Sequence, residues 1–251
     1  KHNIMRKSTF NFTWEGICLL VLSFVLCFMV TVPVANAQIS VTNSSPIIEN
    51  FNGMGATTTL PANWRIGASS ASPTWATGSS ATTQQASSGA PTAGGTYNWG
   101  STASERAVGA MTSGGFASPN NLMVNLQNNG ASNITNLAIS YNAERYRINT
   151  AAASVQFYYT LNGTSWTAVT AGDIATSSFP TGTSAYTFAT PLVVNVSTFN
   201  ISSLAITPTS NFYLRWNINT IGANSQGIGI DDVSIAATFS VAAAPTKLAI
   251  T

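Results

Sequence analysis

The chain has 251 residues, only 6% of them charged, and a formal net charge of +2. Its single histidine is His2 and its two cysteines are Cys18 and Cys27, so from residue 38 onward there is neither imidazole nor thiol. That excludes Ser-His-Asp and Cys-His nucleophiles, a zinc site built on His or Cys, and a disulfide framework for the body of the protein.

The first 37 residues read as a signal peptide. Met5-Arg6-Lys7 is a basic start, Ile17 to Val34 is an almost unbroken apolar run, and Ala35-Asn36-Ala37 offers the small residues that a signal peptidase needs. Residues 1–4 precede an initiator Met and read as upstream translation. The run is just long enough for an uncleaved anchor, but Pro33 and the polar stretch after Ala37 favour cleavage before Gln38, leaving no membrane segment. The signal also carries the charge imbalance. Lys1, Arg6 and Lys7 leave six of nine basic residues, and Glu15 leaves six of seven acids, so the rest is formally neutral. No basic face for nucleic acid is implied.

Abundant Thr, Ser, Asn, Gly and Ala, with few Glu, Lys and Leu, point to an extracellular all-β protein. Residues 38–239 are read as one domain, a two-sheet antiparallel β-sandwich of jelly-roll type. In chain order, Ile47 to Phe51 predicts a strand ended by a turn at Gly53-Met54-Gly55, and Leu60 to Trp64 a chain reversal. The Ser/Thr/Gly-rich stretch from Gly67 to Asn120 predicts short strands at Tyr97 to Gly100 and Arg106 to Met111. Alternation is clear at Leu122, Val124 and Leu126, then at Leu137, Ile139 and Tyr141, and again at Val155, Phe157, Tyr159 and Leu161. Asn162-Gly163 predicts a two-residue hairpin that sets Tyr159 beside Trp166 in the core. Phe212, Leu214, Trp216 and Ile218 mark another strand.

In the last strand, Gly227 to Ile235, the apolar positions change parity across Asp231-Asp232, which predicts a β-bulge that turns an Asp out of the pleat. Beyond Phe239, residues 240–251 read as an Ala/Pro linker and the start of a following domain.

Glu49-Asn50-Phe51-Asn52, Asn63-Trp64, Tyr159 to Trp166 and the closing Ile230-Asp231-Asp232-Val233-Ser234-Ile235 together resemble the secreted bacterial relatives of MAM-type jelly rolls, over residues 46–239. Such modules occur in large surface and secreted proteins, notably of Bacteroidetes-like bacteria. The resemblance implies a jelly roll, and the MAM cysteines are absent.

Three sets of residues are candidates for function. Glu49, Asp231 and Asp232 offer hard oxygen ligands that suit a structural Ca²⁺, against a bulge hydrogen bond and pairing with Arg65 or Arg215. Glu144, Arg145 and Arg147, around Tyr146, form either a polar ligand rim after a strand or an ion-paired strand end with Glu105 and Arg106. Trp75, Tyr97 and Trp99 form either a stacking platform on loops or part of the core. Carboxylates alone leave only a glycosidase-like route to catalysis, and no acid/base pair is evident. The preferred reading is a non-catalytic module for adhesion or glycan binding at a cell surface or in a larger secreted protein. The alternative is an accessory domain of a longer secreted hydrolase, such as a nuclease or glycan-degrading enzyme.

Overall fold

The computed structural model describes residues 38–67 and 73–241. The leader expected over 1–37, with its His and Cys residues, and the expected linker at 240–251 apart from Ser240 and Val241 lie outside the described residues. The described chain forms strands β1 (Ile39–Val41), β2 (Ile47–Glu49), β3 (Trp64–Gly67), β4 (Gln84–Ala86), β5 (Gly95–Thr102), β6 (Glu105–Met111) and β7 (Asn120–Asn128) in its first half. The second half adds β8 (Ile134–Ile148), β9 (Ala153–Thr160), β10 (Thr167–Ala168), β11 (Ala185–Tyr186), β12 (Leu192–Ile201), β13 (Asn211–Thr220) and β14 (Gly227–Phe239). Helical structure among the described residues is limited to three-residue 3₁₀ turns.

The strands make two sheets, as the alternation predicts. The six-stranded sheet has the order β1-β7-β13-β9-β10, with β3 also pairing with β7. The eight-stranded sheet has the order β11-β8-β14-β6-β5-β4, with β12 on β8 and β2 on β14. Pairing is antiparallel throughout except at β1–β7 and β4–β5. Leu122, Val124 and Leu126 of β7, Phe212, Leu214 and Trp216 of β13, and Leu137, Ile139 and Tyr141 of β8 meet in one buried core between the sheets. Because side chains alternate along a strand, the neighbours of these core residues must point to the opposite face of each sheet.

Two local predictions change. The hairpin after β9 pairs Thr167 with Tyr159 and Ala168 with Tyr158, so its loop spans residues 161–166. The Asn162 carboxamide oxygen accepts the backbone N–H groups of Thr164 at 2.9 Å and Ser165 at 2.8 Å, which organises this wider loop in place of a two-residue turn. Trp166 is therefore off the ladder, and it does not face Tyr159 in the core. The cluster around Glu144 lies inside the 15-residue strand β8, not beyond its end.

The bulge forms as expected. Asp231 stands opposite Asn142 and Ser234 opposite Ser140, which leaves one extra residue on β14. Asp232 absorbs it with φ 47°, in the left-handed region.

Candidate functional site

The outward face of the six-stranded sheet carries a row of side chains fixed by register. Arg65 of β3 stands opposite Met123 of β7, Met123 opposite Arg215 of β13, and Arg215 opposite Tyr158 of β9. Asn121, Asn217 and Gln156 form a second row, in which the Asn217 amide donates to the Asn121 carboxamide oxygen at 2.9 Å. Asn125, Tyr213 and Thr160 form a third.

Two loops bring tryptophans over these rows. The Trp166 indole N–H donates to the Pro73 carbonyl at 2.5 Å, and the Trp75 backbone N–H to that of Gly163 at 3.3 Å, so the loops hold each other. The Arg65 guanidinium lies 4.8 Å from the Trp75 ring centre and donates to the Trp75 carbonyl at 3.1 Å. Trp75 also packs against Tyr213, 5.7 Å between ring centres. Arg215 sits 3.9 Å from the Tyr158 ring and 4.8 Å from that of Trp166. Both are cation–π distances. Arg215 is 1% exposed, and burial lowers its pKa to about 10 against the opposing effect of Tyr158. Arg65, Trp75, Tyr158, Trp166 and Tyr213 are each partly exposed. At one margin a groove of 210 Å³ is lined by Pro61, Asn63, Arg65, Trp75 and Asn125 among others.

Trp75 is thus the one aromatic of the predicted platform on this surface. Tyr97 and Trp99 belong to the outer side of the other sheet and are a correction: their rings stack at 4.0 Å and 9° and are 1% and 0% exposed. Trp99 stacks again on Tyr146, and Ala107, Met111 and Phe188 close a second, smaller core around them. Large rings on a strand whose outer face is covered by residues 84–94 and 185–188 pack against that cover.

The polar rim around Glu144 is also corrected. Gly227 stands opposite Arg147 and Ile228 opposite Arg145, so Tyr146 is an extra residue that breaks the alternation of β8, and the contacts of its neighbours diverge. Arg145 donates to the Pro180 carbonyl at 2.7 Å, and Arg147 lies over the Tyr186 ring at 5.5 Å and donates to the Met111 sulfur. Glu144 is 6% exposed and accepts the Tyr146 hydroxyl.

The acidic set differs from the predicted one as well. Glu49 turns back to accept the Phe51 backbone N–H at 2.8 Å, and Asp232 is exposed and accepts the Asn142 amide at 2.9 Å. Asp231 instead meets Glu105 and Glu144, with carboxylate oxygens within 4.8 Å of one another. Asp231 is 3% exposed and its Oδ1 has no hydrogen-bond partner. Burial, reinforced by Asp232, Glu144 and Glu105, pushes its pKa up to about 8 although the Asp232 backbone N–H opposes this. Burial also raises Glu144, against the Tyr146 hydrogen bond. Glu105 was weighed in the sequence only as an ion-pair partner, because its place beside Asp231 depends on β6 and β8 both flanking β14.

Arg65, Arg215, Tyr158, Tyr213 and Trp166 were missed as site residues. The alternation that puts Phe212, Leu214 and Trp216 inward already puts Tyr213, Arg215 and Asn217 outward. Which strands lie beside them is not written in that pattern.

No protein-family model matches the chain, and no curated protein matches it. Among solved structures it is similar to the xylan-binding module CBM15, with 12% identity, a TM-score of 0.39 and coverage of 79% of this chain and 100% of that one. It is similar to a cleaved adhesin domain of Lys-gingipain from Porphyromonas gingivalis, with 12% identity, a TM-score of 0.41 and coverage of 76% and 97%. A xylan-binding domain from Paenibacillus barcinonensis has 10% identity, a TM-score of 0.36 and coverage of 80% and 99%. At such identities and scores these likenesses carry no function across.

Proposed function

We propose that the protein is a non-catalytic extracellular module that binds glycans on the outer face of its six-stranded sheet, within a larger secreted or cell-surface protein. One observation carries this reading: Trp75, Tyr213, Tyr158 and Trp166 stand partly exposed together with the amide of Gln156 and the guanidinium of Arg65, over buried rows that hold Asn121, Asn125, Asn217 and Arg215. Rings of this kind take the apolar face of a sugar, and amides and guanidinium groups take its hydroxyls. The apolar leader at 17–34 supports export, and the Ala/Pro stretch after Phe239 supports a following domain. A non-catalytic role is supported by the burial of Glu144 and Asp231 at 6% and 3% exposure, where no glycosidic bond reaches them.

A hard cation such as Ca²⁺ at Glu105, Glu144 and Asp231 is part of the proposal. It is supported by the oxygen-only donor set and by the buried Asp231 Oδ1, which has no other partner. The cation would be structural, closing the bulge between β6, β8 and β14.

Glycan-array screening followed by calorimetry tests the main reading. Trp75→Ala lowers affinity for the best glycan at least about tenfold, a loss of about 1.4 kcal/mol, while denaturant stability changes by under about 1 kcal/mol. Binding and stability lost together would make the ring a structural cover. Absence of binding to every glycan would overturn the proposal.

A further inference from the structure

Charge is divided unequally between the two sheets. The strands of the six-stranded sheet contain Arg65 and Arg215 and no Asp or Glu. The strands of the eight-stranded sheet contain Glu49, Glu105, Glu144, Asp231 and Asp232 with Arg106, Arg145 and Arg147. Formally that is +2 on one sheet and five acids against three bases, −2, on the other. The remaining acid among the described residues, Asp173, accepts the Phe157 backbone N–H, and its charge acts on Tyr141 in the core. The loops over the six-stranded sheet, 73–79 and 161–166, contain no charged residue.

The two guanidiniums are also ordered. Arg65 and Arg215 occupy one cross-strand row with Met123 between them, so their backbones are two strand spacings apart, about 10 Å. Arg215 is held beneath Tyr158 and Trp166, which fixes a positive charge under the rings, and Arg65 is partly exposed at the groove. A cation beneath a ring offsets the negative potential of its face, so the platform attracts anions more than an unsupported aromatic surface would. The partly exposed Arg65 guanidinium further matches carboxylate and sulfate oxygens in a planar geometry, while Arg215, 1% exposed, acts through its charge alone.

From this arrangement we infer that the glycan taken by this face is acidic, an oligosaccharide carrying carboxylate or sulfate groups along its chain. The inference rests on the glycan-binding reading above and names its ligand class. Both anionic chemistries suit one accessible guanidinium, Arg65, beside the buried positive charge of Arg215, whereas a neutral glycan gains nothing from that charge.

Calorimetry on the mature chain decides it with three probes: trigalacturonate, the same trimer with its carboxyl groups reduced to alcohols, and a chondroitin sulfate oligosaccharide. At low salt at least one acidic probe binds at least about tenfold more tightly than the reduced trimer, and the advantage shrinks as salt is raised. Arg65→Gln brings the acidic probe down to the level of the reduced one with an unchanged melting temperature, and Arg65→Lys keeps part of the preference. Preference for trigalacturonate names a uronic-acid chain, and preference for chondroitin sulfate a sulfated one. Equal binding of acidic and reduced probes overturns the inference and leaves the glycan reading standing. No binding by any probe, repeated on the neutral array, overturns both.

Discussion

The outer faces of the two sheets use similar parts to opposite ends. Each sets charged groups beside stacked aromatic rings. On the eight-stranded sheet the rings of Tyr97, Trp99 and Tyr146 are sealed beneath residues 84–94 and 185–188, with three carboxylates gathered on the interior strands β6, β14 and β8. On the six-stranded sheet the segments 73–79 and 161–166 hold each other, and Trp75, Tyr158, Trp166 and Tyr213 keep part of their surface in water. The sealed face therefore contributes to stability and the open one is available to a ligand. An aromatic in a polar, Ser/Thr/Gly-rich segment of sequence belongs to either kind, and the tertiary packing over it decides which.

The sharpest way to break this comparison is to truncate one ring from the sealed face. Trp99→Ala removes a fully buried indole stacked on two neighbours, and a cavity of that size costs about 3 to 5 kcal/mol. Chemical denaturation measures it. A loss below about 1 kcal/mol would mean that the second core is loosely packed and that the two faces do not differ in kind. Under the glycan-binding proposal, affinity at a temperature where the variant remains folded stays at the wild-type level, because Trp99 is on the opposite sheet from the proposed ligand face.

The carboxylate trio gives the next effect. The folded-state pKa of Asp231 is raised from 3.8 to about 8, so the native state binds a proton that the unfolded chain has released. With chelator present, this contribution to stability is full below about pH 4, where folded and unfolded chains are both protonated. It declines as pH rises from about 4, where only the unfolded chain loses its proton, and is gone above about 8. Deprotonating so buried a group costs on the order of a few kcal/mol. Thermal melts against pH check the sign. Asp231→Asn flattens the profile, and Ca²⁺ at pH 8 raises the wild-type melting temperature by binding only the folded state. A flat wild-type profile would show that the trio is open to solvent, and an unchanged melt with Ca²⁺ would remove the cation from the proposal.

The fold itself was legible in the sequence where period-2 alternation is strong, as in β7, β9 and β13, and the parity change at Asp231-Asp232 located the bulge. β12 went unseen because Leu192 to Ile201 is an edge strand on which Leu192 and Val193 are exposed, so its pattern does not alternate cleanly. The site was less legible. Alternation states which residues of a strand share a face, but Arg65 and Arg215 become neighbours only because β7 lies between β3 and β13. Asp231 meets Glu105 and Glu144 for the same reason, through β6 and β8 on either side of β14. Contacts between strands far apart in the chain are set by topology, which local pattern does not encode.

The smallest effect separates the two adjacent aspartates. In a regular strand Asp231 and Asp232 would point to opposite faces. The bulge keeps Ile230 and Val233 in the core and leaves both aspartates on the outer side, Asp231 buried and Asp232 exposed in the left-handed region at φ 47°. Asp and Asn both tolerate this conformation, and the carboxylate of Asp232 is exposed and holds only the Asn142 amide. Asp232→Asn keeps an acceptor oxygen for that amide, retains the backbone preference and removes one charge near the trio. The expected change in stability is within about 0.5 kcal/mol, and the pH at which the trio titrates moves down, since Asp232 is one of the charges holding Asp231 up. Asp232→Ala, which loses the acceptor and the left-handed preference together, is the more damaging change. A large loss in Asp232→Asn would instead make this carboxylate a member of the buried cluster, and the bulge would then serve to bring both aspartates to one centre.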